Sequence, residues 1–190
     1  METKRSIQLE NPWLTLSSKI IYSNPWIRVR EDQVITPKGE AGIYGVVEAK
    51  PAIGIVALTG DLFTYLVGQY RYPLDAYSWE IPEGGAELNE KLIACAKREL
   101  REETGLSANK WTELGELYTS NCLTNERAYI FIAEDLREGI ADPDPTEQLK
   151  LKKLPFLDAW QMVLKQEIKD SLSITTLMRT YHLLQQQGRL

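Results

Sequence analysis

The sequence predicts an α+β fold, and three observations carry that prediction. Short apolar runs of strand character come first, one strongly amphipathic helix lies near the middle, and further strands precede two terminal helical stretches. That order lacks the strand–helix–strand alternation of a doubly wound sheet. The 190 residues suit one domain of ordinary size with an extension of roughly 40 residues.

Taken in order, residues 19–22, 27–35 and 42–47 read as three strands, bounded by the turn formers Asn24-Pro25 and Pro37-Lys38-Gly39. They hold too few apolar residues for a core of their own. Residues 1–48 are therefore expected to form an N-terminal β subdomain that packs on the rest of the chain or on a second subunit, and 49–187 the main domain. Residues 53–58 and 62–67 flank Thr59-Gly60-Asp61, a hairpin signal. The segment 89–104 is the clearest helix. Leu92, Ile93, Ala96 and Leu100 form its apolar stripe, and Gly105 stands where a C-terminal cap belongs. Strands follow at 111–118 and 127–133, then an acidic proline loop at 142–147 and helices at about 156–165 and 173–187.

Charge narrows the function. Twenty-two basic against 27 acidic residues leave a net charge of −5, which disfavours a general nucleic-acid binder. A polyanionic substrate would need local positive charge or a divalent cation. The two cysteines, Cys95 and Cys122, make no disulfide framework. No apolar run approaches the roughly 18 residues of a membrane span, and the first residues lack the apolar core of a secretory signal. The expectation is a soluble, cytoplasmic protein with no membrane partner. His182, the one histidine, reads as structural, and Cys122 as an inert thiol.

The chemistry concentrates on the central helix. Glu99, Glu102 and Glu103 are spaced i, i+3, i+4, which puts them within about 100° of arc. Like charges one turn apart destabilise a helix, and the macrodipole disfavours anions near its C-terminus. Two readings accommodate this face. One is a solvated surface balanced by Lys97, Arg98 and Arg101. The other is a site for a hard divalent ion, Mg²⁺ or Mn²⁺, because the donors are carboxylates without His or Cys nearby.

The wider spacing decides between them. Gly84, Glu90, Arg98-Glu99-Leu100, Glu102-Glu103 and Gly105-Leu106 satisfy every specified position of GX5EX7REUXEEXGU, where U is aliphatic. A chance match in such a chain is on the order of 10⁻⁷. The chain thereby resembles the Nudix hydrolases, over roughly residues 45–180. That resemblance implies a mixed α/β/α sandwich and metal-dependent hydrolysis of a nucleoside diphosphate linked to another moiety. It implies Glu99 and Glu103 as the leading metal ligands and Glu102 as a further ligand or the activator of water. The backbone carbonyl of Glu83 is implied as an additional ligand. Arg98 lies beside the acidic face, where it can orient a carboxylate. Glu90 is expected early in the helix, accepting backbone N–H groups.

The flanks refine the resemblance. Val67-Gly-Gln-Tyr-Arg71 and Trp79-Glu80-Ile-Pro82 are similar to the ADP-ribose and nucleoside diphosphate sugar pyrophosphatase branch. This implies Arg71 as a phosphate contact and Glu80 as a site residue; the structural alternative is a strand-end cation with Glu80 as its ion-pair partner. Where ADP-ribose pyrophosphatases read Ser-Pro-Gly and then Glu, this chain has Ser120-Asn121-Cys122 and Glu126. Glu126 is a candidate base or metal ligand from a loop, and Glu147 a weaker one. Trp26, presented by the Asn24-Pro25 turn, is the first choice among Trp13, Tyr22, Trp26, Tyr44 and Tyr77 for stacking on the base. In this branch the N-terminal strands commonly meet a second copy, so a homodimer is expected, with ADP-ribose and GDP-mannose as leading substrates. Two alternatives are a nucleoside triphosphate pyrophosphohydrolase and a catalytically silent ligand-sensing module.

Overall fold

The computed structural model describes residues 10–87, 89–142 and 148–190, which fall into two compact units. Among the described residues, one comprises 10–49 with Ser120–Asn125, the other those of 50–119 and 126–190. Glu147 lies outside the described residues.

In the first unit β1 (Leu14–Ser23), β2 (Ile27–Ile35) and β3 (Ala41–Ala49) form an antiparallel sheet in sequence order. The β1–β2 turn is set by Asn24, whose Oδ1 accepts the N–H groups of Trp26 at 2.9 Å and Ile27 at 2.8 Å. Gly39, at φ +84°, closes the β2–β3 turn by donating to the Thr36 carbonyl. Residues 120–125 lie alongside β3, with the Val47 N–H on the Leu123 carbonyl and the Asn125 N–H on the Val47 carbonyl. Among the described residues of this unit Val34 is the one buried apolar side chain, and every residue of β1 is exposed.

The second unit is a pair of sheets covered by helices. β4 (Ala52–Ala57), β7 (Glu83–Gly85), β8 (Ser107–Tyr118) and β9 (Arg127–Arg137) form one sheet in the order β7-β4-β9-β8, with β4 and β9 parallel. β5 (Phe63–Arg71), β6 (Ala76–Glu80) and β10 (Lys150–Pro155) form the other, in the order β10-β5-β6. The helices are α1 (Leu92–Thr104), α2 (Phe156–Leu164) and α3 (Ser171–Gln186). Side chains alternate along β4: Ile53, Ile55 and Ala57 pack with Cys95, Ala96 and Leu100 of α1, while Val56 packs with Phe156, Leu177 and Leu184 of α2 and α3. Helices on both faces of one sheet give the expected α/β/α sandwich. Each fully buried Ile or Leu here contributes about 2 kcal/mol.

Two glycines set the spacing of these layers. A Cβ on Gly54 would lie 2.9 Å from Leu172, so α3 approaches β4 only because that side chain is missing. Gly105, at φ +73°, ends α1 as its position in the sequence predicts, its N–H donating to the Arg101 carbonyl.

Three local expectations need correction. The Thr59-Gly60-Asp61 signal does reverse the chain, but β4 and β5 join different sheets, and next to the turn they are linked by the isolated bridge Leu58↔Thr64 rather than by a ladder. Edge pairing explains this: β4 is hydrogen-bonded on both edges, by β7 and β9. Strand β10 was not anticipated, because its Lys-Leu-Lys-Lys-Leu-Pro sequence is that of a protected sheet edge rather than a core strand. Helix α1 begins at Leu92, not Asn89, since Asn89 adopts φ +65° and breaks the helical path. Among the described residues no helix is long and apolar enough to cross a membrane.

Candidate active site

The segment from β7 into α1 carries the acidic constellation. β7 is fixed to β4 in the register Ile53↔Gly84, and the Ala86 N–H donates to the Pro51 carbonyl. This brings Gly84 against α1. A Cβ there would lie 2.2 Å from the Glu99 carboxylate carbon, so the glycine is a steric requirement for that carboxylate's position. The neighbouring Glu83 N–H donates to Glu103 Oε2 at 2.9 Å. Glu99 and Glu103 are both buried, as the inner residues of the acidic helix face.

Arg98 is the hub of this face. Its Nε and Nη2 reach Glu90 Oε1 and Oε2, both at 3.0 Å, in a bidentate pair. Nη1 donates at 2.8 Å to Glu99 Oε1 and at 2.8 Å to Glu102 Oε2, and Nη2 also reaches the Gly85 carbonyl at 3.0 Å. The pairing with Glu90 raises the guanidinium above its ordinary value, and the same bonds to Arg98 hold the Glu90 carboxyl down at about 2. Glu90 stands before α1 rather than within its first turn. It accepts one backbone N–H, from Glu87 at 2.9 Å, and so braces the loop instead of capping the helix. Cys95 sits under Arg98 at 3.4 Å, and burial pushes its thiol up to about 12, leaving it without thiolate reactivity.

A second arginine organises the other side of the box. Arg71, at the end of β5, donates through Nε to both Glu80 oxygens at 3.0 Å and through Nη2 to Glu80 Oε2 at 2.6 Å. The same Nη2 reaches Glu83 Oε1 at 2.7 Å. Burial works against the guanidinium charge, but Glu80 and then Glu83 outweigh it and raise Arg71 above its ordinary value. Glu80 is therefore the ion-pair partner that the structural alternative anticipated, and it is 2% exposed. Glu83 has its second oxygen, Oε2, buried without a hydrogen-bond partner. Burial, reinforced by the nearby charges of Asp170 and Glu80, raises its carboxyl well above the usual range.

These groups border a cleft of about 500 Å³ lined by Arg71, Ser78, Glu80, Glu83 and, from the start of α3, Lys169, Asp170 and Ser171. The α3 residues lie outside the expected site, because the helix begins at Ser171, two residues before its expected start. The available signal was Asp170 followed by Ser173: the Asp170 carboxylate caps α3 by accepting the Ser173 N–H at 2.6 Å. Ser173 in turn accepts the buried Ile81 N–H at 3.0 Å, tying α3 to the strand end that carries Glu80.

The remaining candidates are placed as follows. Glu126 directly precedes β9 and accepts from the Thr119 hydroxyl at 2.6 Å. Trp26 is 75% exposed on the β1–β2 turn of the first unit. Cys122 is exposed, and His182 is on α3 beside Gln186.

Among the described residues no three Asp, Glu, His or Cys side chains converge in finished metal-site geometry. The donor set nevertheless fits a hard divalent cation. Its donors are the Glu99, Glu102 and Glu103 carboxylates with the Glu83 carbonyl, all oxygen; Gly84 keeps a side chain away from Glu99, and the adjoining Glu83 side chain holds its Oε2 buried with no partner.

The acidic helix α1 thus meets, through the Glu103–Glu83 hydrogen bond, the strand whose Glu83 side chain borders the cleft, and comparison with known proteins identifies the class. Residues 13–47 match the nucleoside diphosphate sugar hydrolase N-terminal domain, and residues 48–176 match the NUDIX domain. The chain belongs to the Nudix family and is a Nudix hydrolase. It is 31% identical to an ADP-ribose pyrophosphatase of Bacillus subtilis (strain 168), over 83% of this chain and 86% of that protein. An ADP-ribose pyrophosphatase of Mycobacterium tuberculosis (strain ATCC 25618 / H37Rv) is also 31% identical, over 90% and 84%. The crystal structure of an ADP compounds hydrolase shares the fold, with a TM-score of 0.84 at 22% identity, over 97% of this chain and 100% of that one.

Proposed function

We propose that this enzyme hydrolyses the diphosphate bridge of a nucleoside diphosphate sugar, releasing a nucleoside monophosphate and a sugar phosphate. ADP-ribose and GDP-mannose are the leading substrates, and Mg²⁺ is the cofactor, with Mn²⁺ able to substitute. The observation that carries this reading is the buried, partnerless Glu83 oxygen beside Glu103 and Arg71, in a cleft with room for a diphosphate.

Glu99, Glu103, Glu102 and the Glu83 carbonyl hold the cation. A bound divalent ion neutralises the diphosphate and makes water acidic enough to supply hydroxide near neutral pH. The protein's own groups do the rest. Arg98 fixes the orientation of Glu99 and Glu102 through Nη1 and keeps their like charges together. Glu102 or Glu126 accepts the water proton. Arg71 binds a phosphate oxygen through Nη1, which takes no part in its bonds to Glu80 and Glu83, while Glu80 holds the fork in place. Trp26 stacks on the base. The fully exposed β1, with Leu14, Leu16, Ile20 and Ile21 outward, supports a homodimer through the N-terminal strands. The cytoplasm is the proposed location.

The match over residues 13–47 favours this reading over a triphosphate pyrophosphohydrolase, and the complete box favours it over a silent sensing module. A panel of nucleotide sugars and nucleoside triphosphates, assayed with Mg²⁺ and analysed by mass spectrometry, tests it. Sugar phosphate and nucleoside monophosphate are the expected products. Pyrophosphate release would favour the first alternative, and no hydrolysis with Mg²⁺ or Mn²⁺ the second.

A further inference from the structure

Helix α1 also borders a concavity of about 450 Å³, lined by its own Lys97, Arg98 and Arg101 and by Ser107, Ala108 and Trp111 of β8. That volume falls within the few hundred to about 1,000 Å³ of small-molecule sites. The three cations differ in one respect. Arg98 spends its fork on Glu90, Glu99 and Glu102. The Lys97 and Arg101 side chains are exposed, stand one helical turn apart, and enter no ion pair among the described residues. Two like charges so placed repel each other unless an anion joins them. Beside them the half-buried Trp111 indole is held in a fixed orientation. Its Nε1–H donates to the Ala108 carbonyl at 3.1 Å, and its ring meets Phe131 edge-on at 6.3 Å. Uncommitted cations next to an immobilised aromatic ring match a ligand that carries a phosphate at one end and a flat ring at the other.

We propose that this concavity binds a nucleoside monophosphate, with its phosphate on Lys97 and Arg101 and its base against Trp111, as a site separate from the Arg71–Glu83 cleft. Neither Lys97 nor Arg101 has a place in the hydrolytic machinery, so the site can be removed without touching turnover. The test follows tryptophan emission while AMP is added in the presence of a chelator. Subtracting the Trp111→Phe titration from that of the wild type isolates the signal of Trp111. A saturable Trp111 signal is expected. In the Lys97→Ala/Arg101→Ala protein its affinity should fall roughly tenfold or more, with kcat and KM for a nucleotide sugar within about twofold of wild type. The proposal fails if Trp111 gives no saturable signal or if the double variant binds AMP as tightly as wild type. It also fails if adenosine or inorganic phosphate alone matches the affinity of AMP. Because turnover is measured separately, failure here leaves the diphosphatase reading standing, and the reverse holds as well.

Discussion

Glu103 offers the sharpest separation of catalysis from folding. Its Oε2 accepts the half-buried Glu83 N–H at 2.9 Å, so the side chain has a structural duty besides its proposed hold on the cation. Glu103→Gln keeps an oxygen at that position and removes the charge. The hydrogen bond changes from charge-assisted to neutral, which costs about 1 kcal/mol. Relief of repulsion against Glu83 and its neighbours offsets part of that cost. For a chain of this size the melting temperature should move by no more than about 2–4 °C. Glu103→Ala instead leaves the Glu83 N–H without its acceptor and opens a void beside it, costing about 1–3 kcal/mol. Turnover should drop at least about a hundredfold in both variants, because both lose the anionic oxygen. Calorimetric melting and steady-state hydrolysis of ADP-ribose with saturating Mg²⁺ measure the two effects. Near wild-type turnover in Glu103→Gln would refute the reasoning. Equal destabilisation of the Gln and Ala variants would refute the structural half alone.

Arg98→Lys should lower kcat by roughly ten- to a hundredfold at similar KM, since an ammonium cannot span Glu90, Glu99 and Glu102 as the guanidinium fork does. Steady-state kinetics on the purified variant would show it. Gly84→Ala should displace the Glu99 carboxylate, because the new methyl group falls 2.2 Å from it. A weakened response of activity to Mg²⁺ titration is the expected sign. Ser173→Ala should cost about 1–3 kcal/mol by stranding the buried Ile81 N–H, read as a lowered urea midpoint. Acid should expose the Glu90–Arg98 pair. The Glu90 carboxyl is held at about 2, below its ordinary 4.5, so the stability it adds is complete above pH 4.5 and is lost as the pH falls towards 2. Urea unfolding across that window should show a steeper loss in wild type than in Arg98→Ala.

The sandwich and the box were legible because both rest on local, periodic signals. The stripe of Leu92, Ala96 and Leu100 commits one helical face to the core, and the helical period then turns Glu99 and Glu103 inward along its flank, with Glu102 further out. Gly84 was legible as a position in a pattern, but its reason, contact with Glu99, is visible only after β7 has paired with β4. What could not be read depends on distant pairing. Asp170 and Lys169 join the cleft only because α3 packs on β4 through Gly54 and Leu172, and nothing near residue 170 encodes that neighbour. The misassigned hairpin has the same origin: Thr59-Gly60-Asp61 specifies a reversal, and the choice of sheet for each arm is made by β9 and β10.

The two arginines explain how so many carboxylates can occupy one region of an acidic protein without unfolding it. Arg71 holds Glu80 and Glu83, and Arg98 holds Glu90, Glu99 and Glu102, with Glu103 on the Glu83 N–H. Two guanidinium groups cannot neutralise that set, and Asp170 adds to it. Glu83 responds to both burial and these charges: burial first, then Asp170 and Glu80, raise its carboxyl well above its usual range, and its Oε2 is left unpaired. A site built only for stability would replace one of these acids with an apolar side chain, since an imperfectly compensated buried charge weakens a fold. Keeping the surplus is favourable only if a further cation joins it. A divalent cation on Glu99, Glu102 and Glu103, as proposed above, would supply the positive charge that the two arginines do not.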